Sequence, residues 1–403
     1  MGLKGLSMLN TPVCRYLALL VLSLTLAMGP TAATHAPQLV VARGGTPAGT
    51  LRTGAYYYPW YGANGRHWRD GYLRRTLTTP QRPVLGEYDS RNPQTIARHF
   101  QWAQQYGINT FITSWSGVGS YEDGTLHDHL LTSPAIGSTT VAIFYESLAL
   151  LPRSNGLVDF NDGRTGQKLV SDADYLARRY FANPHYQRVG GRPVLYFYVT
   201  RTWRGNYVQA IANLRSTIKQ RYGYDLFLVG DEVDPDSDVT PQRIRLFDAI
   251  TPYTMYSGLQ RQGWPDDTRW LANLRQRYDA FKRVADQYGV VFIPNATPGF
   301  NDRGVRLAAN HYALPREVSR TSRAGTDTLF TRMLDLDVAY LDPKLRAVNV
   351  TSFNEWHEDT QLEPVGPAVA SSRPTSYTQG YTYPSDGLRP LELLRAWRAR
   401  NGG

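Results

Sequence analysis

The sequence predicts a single (β/α)8 barrel of the TIM type, with long loops gathered at the C-terminal ends of its strands. Three observations predict it: eight short apolar runs that read as strands, helical segments between them, and long polar or aromatic stretches after the strand ends. The runs occupy 54–58, 109–115, 140–147, 193–200, 225–231, 249–256, 290–296 and 347–353. Eight parallel strands are what a closed barrel of this kind needs.

The intervening segments have helical apolar spacing and recognisable ends. Residues 93–106 start on Pro93 after Ser-Arg-Asn and stop at Gly107. Residues 172–181 end before Asn183-Pro184, 206–222 stop at Gly223, and 270–288 stop at Gly289. Residues 326–340 precede Asp342-Pro343, and 391–399 close the chain. Joints such as Tyr106-Gly107-Ile108 and Tyr288-Gly289-Val290 are short connections from a helix into the next strand. An open doubly wound sheet is the competing fold, but no glycine-rich phosphate fingerprint follows the first run. The long gaps, 61–92, 117–138, 201–206, 257–269 and 300–325, all follow strand ends. In a barrel they lie on one face, and that face is where the site belongs.

Composition narrows the chemistry. The chain has 403 residues, 42% of them hydrophobic, which suffices for one large barrel. Its 27 Tyr and 9 Trp mildly favour sugar binding, since aromatic faces stack on sugar rings. The net charge of +10 is scattered among arginines rather than gathered in a run, so a nucleic-acid partner is not expected. Near the start, Lys4 and Arg15 precede an apolar run over 16–28 and then small residues to Ala33. At about 13 residues this run is short for a membrane span and reads as a secretory signal peptide. The expected organisation is a signal peptide over 1–33, a flexible leader over 34–50 and a catalytic barrel over 51–403. Secretion is expected, with no stable membrane association once the signal is removed. The single cysteine, Cys14, falls within the signal, so the mature chain is expected to hold no disulfide and no thiolate.

The stretch with the most chemistry is 348–364. An apolar β-branched run emerges directly into Asn354, Glu355, Trp356, His357 and Glu358. Carboxylates are almost never buried without partners, so a strand ending in two of them presents them. Glycoside hydrolysis needs one group to protonate the leaving oxygen and another to generate or stabilise the attacking group. Glu355 and Glu358 are three apart: on a helical turn their Cβ atoms are about 5–6 Å apart, and in an extended segment nearer ~10 Å and on opposite sides. The spacing leaves both geometries open. Other strand ends add aromatic residues, among them Tyr58, Trp60 and Tyr61 after the first run, Trp115 after the second, Tyr198 after the fourth and Tyr253 after the sixth. The third run ends in Tyr145-Glu146, which supplies a third carboxylate. Together these residues describe an aromatic-lined polar cleft suited to a carbohydrate. No cofactor is expected. His127 and His129 are the best alternative for a metal, but neither they nor Glu-Trp-His-Glu has the spacing of a zinc site. No serine nucleophile elbow and no P-loop is present.

Ser352-Phe353-Asn354-Glu355-Trp356-His357-Glu358, followed by Thr360-Gln361-Leu362-Glu363, closely resembles the signature of glycoside hydrolase family 99, the endo-acting α-mannosidases. Tyr57-Tyr58-Pro59-Trp60-Tyr61-Gly62, Tyr145-Glu146, Tyr196-Phe197-Tyr198 and Pro298-Gly299-Phe300 are similar to further blocks of that family, in its order, so the resemblance spans about 54–364. It implies a barrel that acts without a metal, cleaving inside α-mannose chains at α-1,2-linked mannose with retention of configuration. It further implies that Glu355 deprotonates the mannose 2-hydroxyl, which attacks C1 to form a 1,2-anhydro sugar, while Glu358 serves as acid and then base. Glu146 and Tyr253 take the places of substrate-contacting residues, and Tyr58, Trp60, Tyr61, Trp115, Tyr198, Asn354, Trp356 and His357 complete the expected substrate-binding set. Asp359 stands where the family commonly has Gly. A related barrel glycosidase acting on another bacterial or fungal polysaccharide, and a non-catalytic glycan-binding barrel, are the alternatives.

Overall fold

The computed structural model describes residues 49–68, 82–255, 268–302, 313–314, 316, 327–366 and 387–403. The expected signal peptide and all but the end of the leader lie outside the described residues.

Parallel strands form one continuous sheet: β1 Arg52–Tyr57, β2 Thr110–Trp115, β3 Thr140–Tyr145, β4 Arg192–Phe197, β5 Phe227–Asp231, β6 Ala249–Thr251, β7 Val291–Phe292, β8 Asn295–Ala296 and β9 Ala347–Val350. Neighbours follow chain order from β1 to β7, and β9 pairs with both β8 and β1. The seventh barrel position is therefore two short pieces. β7 pairs β6 and β8 pairs β9, with Ile293-Pro294 between them. Pro294 has no N–H to give, and its carbonyl accepts from the Asn349 N–H at 2.9 Å, so the ring closes across the break. This is the (β/α)8 barrel that the sequence predicts. Several strands are shorter than expected for a related reason: β6 stops at Thr251 because Pro252 follows.

Alternation along the strands divides the apolar residues into two layers. Tyr56, Ile112, Ala142, Phe144, Val194, Tyr196, Val229 and Ile293 fill the barrel. Ala55, Tyr57, Phe111, Val141, Ile143, Tyr145, Leu195 and Phe197 belong to the larger cluster shared with the helices.

Besides a single turn at Ser147–Leu150, the α-helices among the described residues are α1 Pro93–Tyr106, α2 Tyr121–Thr125, α3 Gly163–Arg179, α4 Tyr207–Tyr222, α5 Pro241–Ile244, α6 Thr268–Gln287, α7 Leu329–Asp337 and α8 Arg389–Arg400. The Asn92 side chain caps α1, and Gly107 ends it in the left-handed region at φ 84°. Among the departures from expectation are α3 and α2. α3 begins nine residues before 172, because the Asp162 side chain accepts from the Arg164 N–H and starts the helix there. α2 lies in a stretch expected to be loop; Ser120 caps it despite Gly117, Gly119 and Gly124.

The last helix returns to the first strand. The Leu51 N–H donates to the Gly402 carbonyl at 3.1 Å. From α8, Arg398 donates to Thr53 Oγ1 at 2.5 Å and to Asn109 Oδ1 at 3.2 Å. No helix among the described residues is long and apolar enough to cross a membrane.

Candidate active site

Past β9 the chain makes a turn over residues 356–359, and residues 360–363 come back alongside 352–353. Ser352 and Thr360 pair at 2.8 Å through the Ser352 N–H, and the N–H groups of Leu362 and Glu363 donate to Ser352 and Phe353, each at 2.8 Å. Glu355 and Glu358 thus stand on a closed turn rather than on an extended strand. Glu355 is buried, 3% exposed, with its backbone N–H on Ser352 Oγ at 2.8 Å. Its Oε1 accepts from the His357 N–H at 2.8 Å. Glu358 is more open to solvent.

The inward residues of neighbouring strands meet this turn. Tyr58 and Tyr253 join through their hydroxyls. The Tyr198 ring lies 5.4 Å from that of Tyr253, and Trp60 lies 4.4 Å from Tyr58. Glu146 accepts from Ser114 Oγ at 2.7 Å. Burial holds the Tyr58 phenol well above its ordinary pKa, and the charges of Glu146, Glu355 and Glu358 add to the effect. Tyr198 is raised in the same way by burial, Glu358 and Glu146. The charges that act on Tyr58, at the end of β1, thus come from the end of β3 and from the turn after β9. Both tyrosines remain protonated hydrogen-bond donors there.

Burial pushes the Glu146 carboxyl from 4.5 up to about 7; Ser114 opposes this, and Glu358, Glu122 and Asp231 reinforce it. The folded chain then binds more protons than the unfolded chain between those two values, so this group's contribution to stability falls as pH rises through that window. Glu146→Gln should match the parent protein near pH 4 and exceed its stability at pH 8 by on the order of 1–3 kcal/mol. Urea unfolding at the two pH values measures this, and an equal difference at both would refute it.

Other expected site residues support the hollow from behind. Asn354 is fully buried: its Oδ1 accepts from the Tyr58 N–H at 2.7 Å and its Nδ2 donates to the Tyr58 carbonyl at 2.9 Å. Tyr61, also fully buried, donates to the Asn354 carbonyl at 3.0 Å and accepts from the Trp356 N–H at 3.1 Å. Trp356 is buried with Nε1 on Glu363 at 2.7 Å. The His357 ring packs 4.5 Å from that of His67. Trp115 points the other way: it belongs to the layer between sheet and helices, and its Nε1 donates to Asp123 at 2.7 Å. The strand-end aromatic residues are consequently divided between lining and support, and Tyr56, Tyr57 and Tyr61 are all fully buried.

His127 and His129 lie on the turn that follows α2, where His127 contacts Asp128 and Arg179 reaches Asp128 at 3.5 Å. Among the described residues no group of three or more His, Cys, Asp or Glu side chains is placed to hold a metal ion.

Sequence reading missed a second ring of polar residues. Fully buried Glu363 accepts from Tyr88 at 2.8 Å as well as from Trp356, and pairs with His99 Nε2 at 3.1 Å; His99 Nδ1 in turn meets the Tyr57 hydroxyl at 3.0 Å. Asp231 ends β5, where its carboxylate accepts from the N–H groups of Val199 and Tyr253, each at 3.0 Å, and pairs with Arg201 at 3.0 Å. Burial raises Asp231, with Arg201 and the two N–H groups opposing. Val199 has φ 45°, a strained value for a β-branched residue, and it directly follows Tyr198. An acidic residue closing an apolar run was the visible signal for Asp231; Glu363 stood in the signature block with no role assigned to it, and His99 offered nothing beyond its residue type.

A model of glycosyl hydrolase family 99 matches residues 73–399. The chain is 24% identical over 392 residues to the mouse glycoprotein endo-alpha-1,2-mannosidase-like protein, covering 85% of this chain and 75% of that one. It is 23% identical over 390 residues to the rat glycoprotein endo-alpha-1,2-mannosidase, covering 85% and 73%. Among solved structures, a family 99 endo-alpha-mannosidase from Bacteroides thetaiotaomicron superposes with a TM-score of 0.61 at 19% identity, over 88% of this chain and all of that one. At that identity the superposition speaks for the fold.

Proposed function

The chain belongs to glycosyl hydrolase family 99 and is a glycoside hydrolase, and from that premise we propose that it is a retaining endo-α-mannosidase acting at α-1,2-linked mannose. The observation that supports this reading is the closed turn past β9, at the C-terminal ends of the barrel strands, which carries Glu355 and Glu358 and whose Asn354 is hydrogen-bonded to both sides of the Tyr58 peptide.

The steps are those that the family resemblance implies, and the surroundings of the two glutamates support them. Glu355, buried and held by two backbone contacts, takes the proton from the mannose 2-hydroxyl. The freed O2 attacks C1 while Glu358, the more open of the pair, gives its proton to the departing glycosidic oxygen. A 1,2-anhydro mannose and a shortened glycan result. Glu358, now ionised, takes a proton from water as that water attacks C1; O2 leaves C1 and recovers its proton from Glu355. Two inversions at C1 give net retention. Tyr58, Tyr198, Tyr253 and Glu146 hold the sugar's hydroxyls, with Trp60 as an apolar wall. The apolar run over 16–28 directs the chain out of the cytoplasm.

The test is incubation with high-mannose oligosaccharides and α-mannan, with proton NMR of the first-formed product. Release of a reducing end whose initial anomer is α is expected. No release at any pH from about 4 to 9 would sink the proposal, and release only from a different polysaccharide in a panel would keep hydrolysis and change the substrate.

A further inference from the structure

Behind the glutamate turn, the chain places an acidic residue at a backbone position that favours glycine. Asp359 has φ 58° and is 5% exposed. Side chains with a Cβ are disfavoured in that region, although Asp tolerates it better than most. A buried carboxylate also needs a countercharge, and Arg316, itself 4% exposed, stands 3.7 Å from Asp359 Oδ1. Gln361 Nε2 donates to the same oxygen at 3.3 Å.

Arg316 grips the turn through its backbone as well. Its Nη2 donates to the Asp359 carbonyl at 3.2 Å and to the Gln361 carbonyl at 2.9 Å. It lies just beyond the strand Ala313–Leu314, which pairs antiparallel with Phe300–Asn301. From that same hairpin the Asn301 N–H donates to the carbonyl of Glu358 at 2.7 Å. Gly299 allows the approach, since a Cβ there would meet Arg316 Cγ at 2.8 Å and the Leu314 carbonyl at 3.1 Å. The hairpin after the seventh barrel position therefore holds three carbonyls of the turn, at residues 358, 359 and 361.

We propose that Arg316 and Asp359 form a latch that positions Glu358, with Arg316 tying the turn to the hairpin and Asp359 supplying the charge that lets a guanidinium stay buried there. The inference rests on the reading of Glu358 as the acid and base of the reaction. Arg316 is a positioning residue, since it acts through the turn.

The variants Arg316→Met, Arg316→Lys, Gly299→Ala, Asp359→Asn, Asp359→Gly and the double variant Arg316→Met with Asp359→Asn test it. Each is assayed on an oligosaccharide and on a matched substrate with a good aryl leaving group, and each is melted. A small displacement of a catalytic group costs on the order of a hundredfold, so Arg316→Met is expected to lower kcat/KM on the oligosaccharide by about tenfold to a hundredfold. The loss on the aryl substrate should be smaller, because that leaving group needs less help from Glu358, and a merely structural defect would lower both alike. Gly299→Ala should follow Arg316→Met in part, and Arg316→Lys should recover part of the loss. Asp359→Gly should cost less than Arg316→Met, because it relieves the backbone and leaves the carbonyl contacts in place.

In melting, Asp359→Asn should destabilise the parent protein but raise the Tm of Arg316→Met, where it removes an unpaired buried charge. Equal losses on the two substrates, unchanged activity in Arg316→Met, or additive Tm changes would overturn the latch. The Tm comparison is decisive even if the parent protein hydrolyses no mannoside, a result that would defeat the proposed function by itself.

Discussion

Glu358→Gln is expected to lower kcat/KM on a mannose oligosaccharide by about 10²- to 10⁴-fold, the range that general acid catalysis supplies. The amide keeps the shape of the side chain and its place on the turn, where the Glu358 carbonyl is held by Asn301, but has no proton to give the leaving oxygen. With an aryl leaving group that departs as a stable anion, kcat/KM should fall far less. Turnover should nevertheless remain slow, because the second step then lacks its base for water. Glu355→Gln should behave differently: both kinds of substrate need the 2-hydroxyl deprotonated, so both should lose activity to a similar degree. A parent protein that cleaves a substrate lacking the 2-hydroxyl as fast as the natural one would remove Glu355 from this role. Measuring the two variants on the two substrates separates acid from base, and swapped patterns would reverse the assignment.

Glu363→Ala is expected to have the largest effect on stability. Its carboxylate is fully buried and takes contacts from Tyr88, Trp356 and His99 at once. Removing it takes the shared acceptor from three polar groups in a buried layer, and breaking a buried charged network of this kind costs about 3–5 kcal/mol. That is a large share of a total stability of about 5–15 kcal/mol. The damage should reach the hollow as well, since Tyr88 supports Asn354 and Asn354 fixes both sides of the Tyr58 peptide. Glu363→Gln keeps an acceptor for two of the three partners and should lose about half as much. Urea unfolding measures both, and a Glu363→Ala protein as stable as its parent would refute the assignment of this network.

The barrel was legible because its signals are local and repeated: apolar runs at strand length, glycines at the helix ends, long gaps after the strands. The closed turn at Glu355 to Glu358 was only half legible. Spacing left two geometries open, and the deciding contacts, Ser352 with Thr360 and Asn301 with Glu358, join residues whose pairing no local pattern announces. Trp115 shows the limit of reading aromatic residues at strand ends. Alternation along β2 turns Ser114 to the hollow and Trp115 to the helices, and a one-residue choice of phase decides which. The support formed by Glu363, His99 and Asp231 escaped because buried polar networks are assembled from distant parts of the chain, each member an ordinary residue in its own neighbourhood. In Asp359 the departure from Gly was visible in sequence, but the Arg316 beside it was not.

The closure of the ring between β1 and β9, pinned by the joint between Leu51, Thr53 and the last helix, brings together distant parts of the chain. β1 needs β9 as its second neighbour, and the bonds that seal the joint come from Arg398 and Gly402. Until Ala347–Val350 has been made, β1 keeps one edge of unpaired amides, an invitation to pair with another chain. Contacts that span nearly the whole sequence are also slow to form. The ring is thus a structure that cannot be completed piecemeal: its first stave waits for its last strand, and the helix Arg389–Arg400 then pins the joint.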